Sequence, residues 1–476
     1  MASHENRFTD VAWQDHPYFR MISDSYLAFE QWMNQLCDSA GSSWQSQMRA
    51  RFLTNILTAA VSPANFLATN PVALKRLAET DGRSLLDGYG NMLRDLARGG
   101  MPSAADRRPF PVGEKIACTP GAVVYREELF ELLQYAPATP RVRACPLLMV
   151  PPQVNRHYIL DLAPGRSVAE FAVSLGVPAF MIVWRNPRAN LGHGRWGVED
   201  YLAAEQRAAE VVKKISRSET ISWLGLCAGG MTTAWTLGRL AAAGDTSASS
   251  ATFIVSMVAS TYPNVVGMLD TSENRRWLEL AAEAEQVIPG TALRTLFALL
   301  RPNDLVFNYL VSGWLMGKPP AAFDVLAWND DATATTARFA LESTRIAVDG
   351  PADLSGVTCD SFHVGGFTDH ITPWRTAYDT CQALGGAREM TVVRSGHVQS
   401  FVNPADSTRY DGWYGPPSAA SPDEWLAAAA VEHGSWWRRW GEWLAARSGS
   451  EKPARNTLGS REYPPLAPAP GTYVHE

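Results

Sequence analysis

Three residues of this chain belong to types that can do covalent chemistry together. Cys227 lies in Gly225-Leu226-Cys227-Ala228-Gly229-Gly230, a G-x-C-x-G-G box with an apolar run before it and a helical stretch, Met231 to Trp235, after it. Small neighbours suit a nucleophile held on a tight turn. A helix starting there puts positive potential on the sulfur, which favours thiolate over thiol. The backbone N–H of Ala228 is then placed to receive a developing oxyanion. Asp369 lies in Gly365-Gly366-Phe367-Thr368-Asp369-His370-Ile371-Thr372-Pro373-Trp374, and His397 in Arg394-Ser395-Gly396-His397-Val398-Gln399-Ser400. A thiol nucleophile needs an imidazole to take its proton and manage the later transfer. A carboxylate either orients that imidazole or serves as a base itself. His370 is the rival base, but it sits beside the acid on the acid's own loop. His157, His193 and His363 read as structural, and no H-x-x-H or H-E-x-x-H spacing predicts a metal site. The remaining cysteines, Cys37, Cys118, Cys145, Cys359 and Cys381, form no C-x-x-C pair and read as free, mostly buried thiols.

The elements that must position these residues follow from the apolar pattern. From about Cys145, short apolar runs alternate with amphipathic stretches, the pattern of βαβ units and a parallel sheet. Strands are predicted at 147–150, 179–184, 221–225, 252–258, 361–365 and 390–393. Each is continuous and bounded by Gly, Pro or a polar cluster, as strands buried on both faces should be. Cys227 follows the third, Asp369 the fifth and His397 the sixth. Nucleophile, acid and His in that order, with a strand-to-helix elbow at the nucleophile, define the α/β-hydrolase fold. The fold class is therefore α/β, with a helical N-terminal region over 1–115 and a catalytic domain over 116–450. The catalytic domain carries a large insertion at about 260–358, too long for an ordinary connection and read as a lid. The Pro-rich segment 451–476 is expected to be disordered.

Composition narrows the function. Apolar residues make up 46% and charged residues 19%, which is globular composition. The net charge is −6 with no run of Lys or Arg, which argues against nucleic acid as the main partner. No stretch reaches the roughly 18 apolar residues that cross a bilayer, and the start, Met1 to Arg7, lacks an apolar signal segment. The chain reads as soluble and cytoplasmic.

Taken together, the motifs resemble the polyhydroxyalkanoate synthases, polyester polymerases that use 3-hydroxyacyl-CoA, and are most similar to the class II branch. The resemblance is carried by Arg7 to Trp13, Ser62 to Pro71, Pro151 to Leu162, Trp184 to Pro187, Arg301 to Tyr309, Phe323 to Asn329, Thr368 to Trp374 and Ser395 to Pro404. It spans roughly residues 5–447. The chain departs from the family after the fourth strand, where Met257-Val258-Ala259-Ser260-Thr261-Tyr262-Pro263 replaces a frequent Leu-Asp pair.

The resemblance implies a catalytic triad of Cys227, Asp369 and His397. It also implies an acyl-Cys intermediate formed from (R)-3-hydroxyacyl-CoA with loss of CoA, and chain extension by a 3-hydroxyl group. No cofactor is expected, since CoA is a product. A second oxyanion donor is expected from the loop after the first strand, at the Val154 or Asn155 backbone N–H. The implied partners are the growing polyester, the granule surface and a second copy of the chain. The aromatic residues of the insertion (Trp314, Phe323 and Trp328) read either as lid core or as the lining of an acyl channel. The Trp436-Trp437-Arg438-Arg439-Trp440 cluster reads either as helix packing or as a granule contact. Two other readings compete: a thioesterase or hydrolase of the same fold acting on hydroxyacyl thioesters, and a non-catalytic granule-associated protein.

Overall fold

The computed structural model describes residues 6–41, 43–258, 262–349 and 353–476. The chain divides into two compact units. The larger contains Phe110–Gly290 and Asp331–Glu476, the smaller the residues up to Pro109 together with Thr291–Asp330.

The larger unit is built on one eleven-stranded sheet. In chain order its strands are β1 Gly121–Arg126, β2 Phe130–Tyr135, β3 Leu147–Val150, β4 Ala179–Trp184, β5 Ile221–Leu226, β6 Ala248–Ile254, β7 Asp360–Gly366, β8 Arg388–Val393, β9 Asp411–Gly415, β10 Ala430–His433 and β11 Ala467–Pro468. They lie side by side in the order β10-β9-β8-β7-β6-β5-β3-β4-β2-β1-β11. The central six, β8-β7-β6-β5-β3-β4, run parallel, and the flanking pairs are antiparallel. Every residue of β3, β4 and β5 is buried, and all but Ser222, which accepts a hydrogen bond from Ser250, are apolar or Gly, as strands covered on both faces require. The register of the parallel core pairs Val150 with Gly225, Leu226 with Ile254, Ile254 with Val364 and Gly366 with Val393. All the connections that follow these residues therefore leave from one edge of the sheet.

The structure departs from the sequence-based expectation at several elements. The strand expected at 252–258 is found at Ala248–Ile254, because Val255 has φ 43° and cannot continue it. A positive φ at a β-branched residue is a true outlier. Residues Ala259, Ser260 and Thr261, part of the departure from the family pattern, lie outside the described residues. β1 and β2 add to the predicted strands; in β2 the charge of Glu131 breaks the apolar run. Glu131 is fully buried in β2, yet it accepts a hydrogen bond from Arg126 Nε at 2.8 Å and others from the N–H groups of Thr472 and Tyr473.

Those last contacts correct the expectation of a disordered tail. Glu451–Pro453 pairs antiparallel with Arg141–Arg143, and β11 pairs with β1. Tyr473 and Val474 are buried, and Arg185 clamps the Glu476 carboxylate with two hydrogen bonds. Pro453 and Pro468 sit on edge strands, where a missing N–H costs nothing.

The insertion also divides differently from a single lid. Ser272–Glu283 packs on α7, Ala337–Asp349, through Ala281, Ala282, Ala337 and Leu341, within the larger unit. Thr291–Asp330 belongs instead to the smaller unit with the N-terminal helices, α1 Pro17–Asp38, α2 Trp44–Ala60, α3 Pro71–Glu79 and α4 Arg83–Ala97. Ser43 caps α2 and Asn70 caps α3, each side chain accepting from helix N–H groups left without an internal partner. Gly88 of α4 lets the insertion backbone approach: a Cβ there would lie 1.9 Å from Trp314 O. Trp314 donates its indole N–H to Asp95 Oδ2 at 2.7 Å, and Trp328 is buried, while Phe323 is exposed. In the larger unit Trp436, Trp437 and Trp440 are fully buried, with indole N–H groups on Ser400 O, Phe401 O and Thr252 Oγ1. That cluster is helix packing.

Candidate active site

Cys227 stands between β5 and helix α6, Ala228–Ala242, with φ 53° and ψ −120°. Only a turn this sharp ends a buried strand and starts a helix at once, so the sulfur is presented at the sheet edge. Two glycines make the turn feasible. A Cβ on Gly225 would lie 2.4 Å from Gly230 Cα, and one on Gly229 would lie 2.3 Å from Val150 O and 2.5 Å from Pro151 O. The Cys227 N–H is spent on Ile254 O at 2.9 Å. The N–H of Ala228, first residue of α6, has no acceptor within the helix and is oriented by the helix dipole.

Val154 and Asn155 lie in the loop that follows β3. That loop is tied down by Trp184 Nε1 donating to Pro151 O at 2.9 Å and by Gln153 Nε2 donating to Thr232 Oγ1 of α6 at 2.9 Å. The Asn155 side chain turns back to accept from the Arg156 N–H at 2.9 Å.

Asp369 follows β7 and His397 follows β8. The structure brings them together: His397 Nδ1 and Asp369 Oδ2 are 2.6 Å apart. The Cys227 sulfur acts on the charge of the same ring. Asp369 Oδ1 accepts from the N–H groups of Ile371, at 2.8 Å, and Thr372, at 3.0 Å. Burial alone would discharge the imidazole, but the Asp369 charge, the Cys227 sulfur and the Asp369 hydrogen bond outweigh it and raise the His397 pKa well above its usual range. Burial likewise opposes charge on Asp369, yet the His397 charge and the donated hydrogen bonds hold its carboxyl below the usual range.

Sequence reasoning missed Thr372. Its hydroxyl lies 2.9 Å from Asp369 Oδ2, 3.2 Å from His397 Nδ1 and 3.0 Å from Val255 O. The strained Val255 thus aims its carbonyl at the residue that braces the acid. The available signal was a hydroxyl three positions after an Asp, the spacing of a local side-chain turn.

The other candidates fall elsewhere. His370 is half-buried on the acid's loop. His363 stacks on Phe253 and bonds Ser361, and burial lowers its pKa to about 3. His157 is buried with the same consequence, reinforced by Arg156. His193 stacks on Trp196 with centroids 4.0 Å apart. Cys37, Cys145 and Cys381 are buried, and burial pushes the Cys359 thiol up to about 11 and raises that of Cys381. Among the described residues no cluster of His, Cys, Asp or Glu could hold a metal ion.

A parallel core with a cysteine elbow after β5, a carboxylate after β7 and an imidazole after β8 is the α/β-hydrolase fold, and the three groups stand in the order that acyl transfer on this fold uses. Residues 4–172 match the family described as Poly-beta-hydroxybutyrate polymerase (PhaC) N-terminus. The chain is 36% identical to poly(3-hydroxyalkanoate) polymerase 1 of Ectopseudomonas oleovorans, over 100% of this chain and 87% of that protein. It is 38% identical to polymerase 2 of the same organism, over 98% and 86%. With the poly(3-hydroxyalkanoate) polymerase subunit PhaC of Cupriavidus necator the identity is 37%, over 99% and 83%. The chain belongs to the poly(3-hydroxyalkanoate) polymerase family.

Proposed function

We propose that this protein polymerises (R)-3-hydroxyacyl-CoA into polyhydroxyalkanoate through an acyl-Cys227 intermediate. The carrying observation is a cysteine at a left-handed elbow with a carboxylate-bound imidazole as its partner, in a chain of this family. His397 holds the thiol proton at Nε2 as an imidazolium, and the Cys227 thiolate attacks the thioester carbonyl. The oxyanion that forms is received by the Ala228 N–H and by an N–H of the Val154–Asn155 turn. Collapse of that intermediate expels the CoA thiolate, which takes the proton back from His397 and leaves as CoA. A 3-hydroxyl then attacks an acyl thioester, losing its proton to His397 or with help from Asp369; the acyl C–S bond breaks, the departing thiolate is reprotonated from His397, and the polyester grows by one unit. A thioester on Cys227 is close in energy to that of CoA, so the acyl group stays activated for the hydroxyl. The cycle needs no cofactor.

The protein works in the cytoplasm at the polymer granule surface, as a homodimer. Exposed apolar side chains on the N-terminal helices, among them Trp32, Leu36, Leu57, Leu86 and Leu93, support a granule contact. The test is purified protein with 3-hydroxyacyl-CoAs of several chain lengths, following CoA release and polymer mass together. CoA release matched by polyester is the expected result. CoA release matched by free hydroxy acid would overturn the reading in favour of a thioesterase.

A further inference from the structure

At the opposite edge of the sheet from Cys227, the tail segment 452–458 forms one wall of a cavity of about 390 Å³. The end of β2 and the N-terminal approaches to β3, β4 and β5 form the rest. Its walls include the aliphatic side chains of Val142, Val177, Ile215 and Leu458. Three cations line the same cavity: Arg217, Lys452 and Arg455. Among the described residues no carboxylate pairs with any of them. Lys452 Nζ donates to Ser216 O at 2.8 Å, and an Arg455 guanidinium N–H donates to Ile215 O at 3.2 Å. These are carbonyls at the C-terminal end of α5, Val198–Ser216, and they carry only partial charge. The neighbouring carboxylate, Glu451, is taken by Arg141 and Arg143. Burial lowers the Lys452 pKa, and the Arg455 and Arg217 charges lower it further against a smaller opposing effect of Cys145.

A positive cluster at the mouth of an aliphatic cavity is complementary to one kind of molecule: an apolar chain ending in an anion. We propose that this cavity binds a straight-chain aliphatic monocarboxylate, with its chain along Val142, Val177, Ile215 and Leu458 and its head group among Arg217, Lys452 and Arg455. A free inorganic anion leaves the aliphatic wall wet, and an uncharged chain leaves the cations unpaired, so both should bind less well. The volume lies within the range of small-molecule sites. The site is separate from the acyl-transfer chemistry, and it stands or falls without it.

The test is calorimetric titration of the full chain, wild type and Cys227→Ala, with octanoate, octan-1-ol and acetate. One octanoate per chain should bind in both proteins, with the alcohol and acetate each weaker by at least about tenfold. Arg217 is exposed and its side chain carries no fold-holding hydrogen bond among the described residues, so Arg217→Gln should fold normally. It should weaken octanoate by about tenfold, and Lys452→Met by as much or more. Octanoate affinity unchanged in Arg217→Gln, equal affinity for octan-1-ol, or binding lost in Cys227→Ala would each overturn the proposal. So would the absence of octanoate binding to the wild type.

Discussion

Replacing Asp369 by Asn keeps the side chain's shape, so hydrogen-bond geometry decides the result. Oδ1 is fixed by two backbone N–H groups, from Ile371 and Thr372, at 2.8 and 3.0 Å. An amide NH2 cannot face two donors, so the Asn carbonyl takes that side. The NH2 then points at His397 Nδ1, 2.6 Å away in the native protein, and that nitrogen must become an acceptor. The ring proton is driven to Nε2, the nitrogen left to face Cys227, which can no longer accept the thiol proton. The buried imidazolium also loses its counter-charge. Holding the imidazole in the wrong tautomer lowers kcat by about 10⁴-fold in a Ser-His-Asp triad, about 5 kcal/mol of the barrier. Asp369→Ala leaves the ring free to adopt either tautomer, so Asn should be no more active than Ala despite being isosteric. Steady-state CoA release measures the loss. The rate of Cys227 alkylation by iodoacetamide, read by peptide mass, reports the thiolate without any polymerisation. A folded Asn variant within about tenfold of wild type, or more than about tenfold above Ala, would refute the tautomer argument.

Four further outcomes are expected. Cys227→Ala should abolish CoA release and Cys227→Ser should be far weaker than wild type, while substitution of Cys37, Cys118, Cys145, Cys359 or Cys381 keeps activity; a folded variant at one of those five that is dead, beside an active Cys227→Ala, would move the nucleophile. His397→Ala should stop acylation, whereas His370→Ala keeps substantial activity in the same CoA-release assay. Gly229→Ala pushes a methyl group into Val150 O and Pro151 O and should cost at least about 1–3 kcal/mol, seen as a lower melting temperature together with lost activity. The ion pair also gives a pH signature. The Asp369 pKa is lowered, so its contribution to stability is present above about pH 4 and is lost as the pH falls through the lower folded value. The His397 pKa is raised, so its contribution is whole below about pH 6.5 and fades as the pH climbs through the raised value. The melting-temperature gap between wild type and His397→Gln should therefore be widest from about pH 4 to 6.5 and shrink toward alkaline pH; a gap that grows there contradicts the pairing.

Residues whose role is local were legible in the sequence. The elbow around Cys227 shows itself because a left-handed turn packed against β3 and β6 admits only small neighbours, which leaves G-x-C-x-G-G as its trace. The parallel strands show themselves because burial on both faces demands mostly apolar runs. Whatever depends on a partner far along the chain was decided only by the tertiary structure. Glu131 looks like a surface residue until Arg126 and the backbone of Thr472 and Tyr473 satisfy it, and with it β2 and the ordered tail become visible. The insertion reads as one segment, yet Gly88 and Asp95 claim its middle for the smaller unit through Trp314. Thr372 is one hydroxyl among many until the fold sets Val255 O on one side of it and Asp369 and His397 on the other. A buried polar group is stable only when paired, and local pattern carries no record of a partner a hundred residues away.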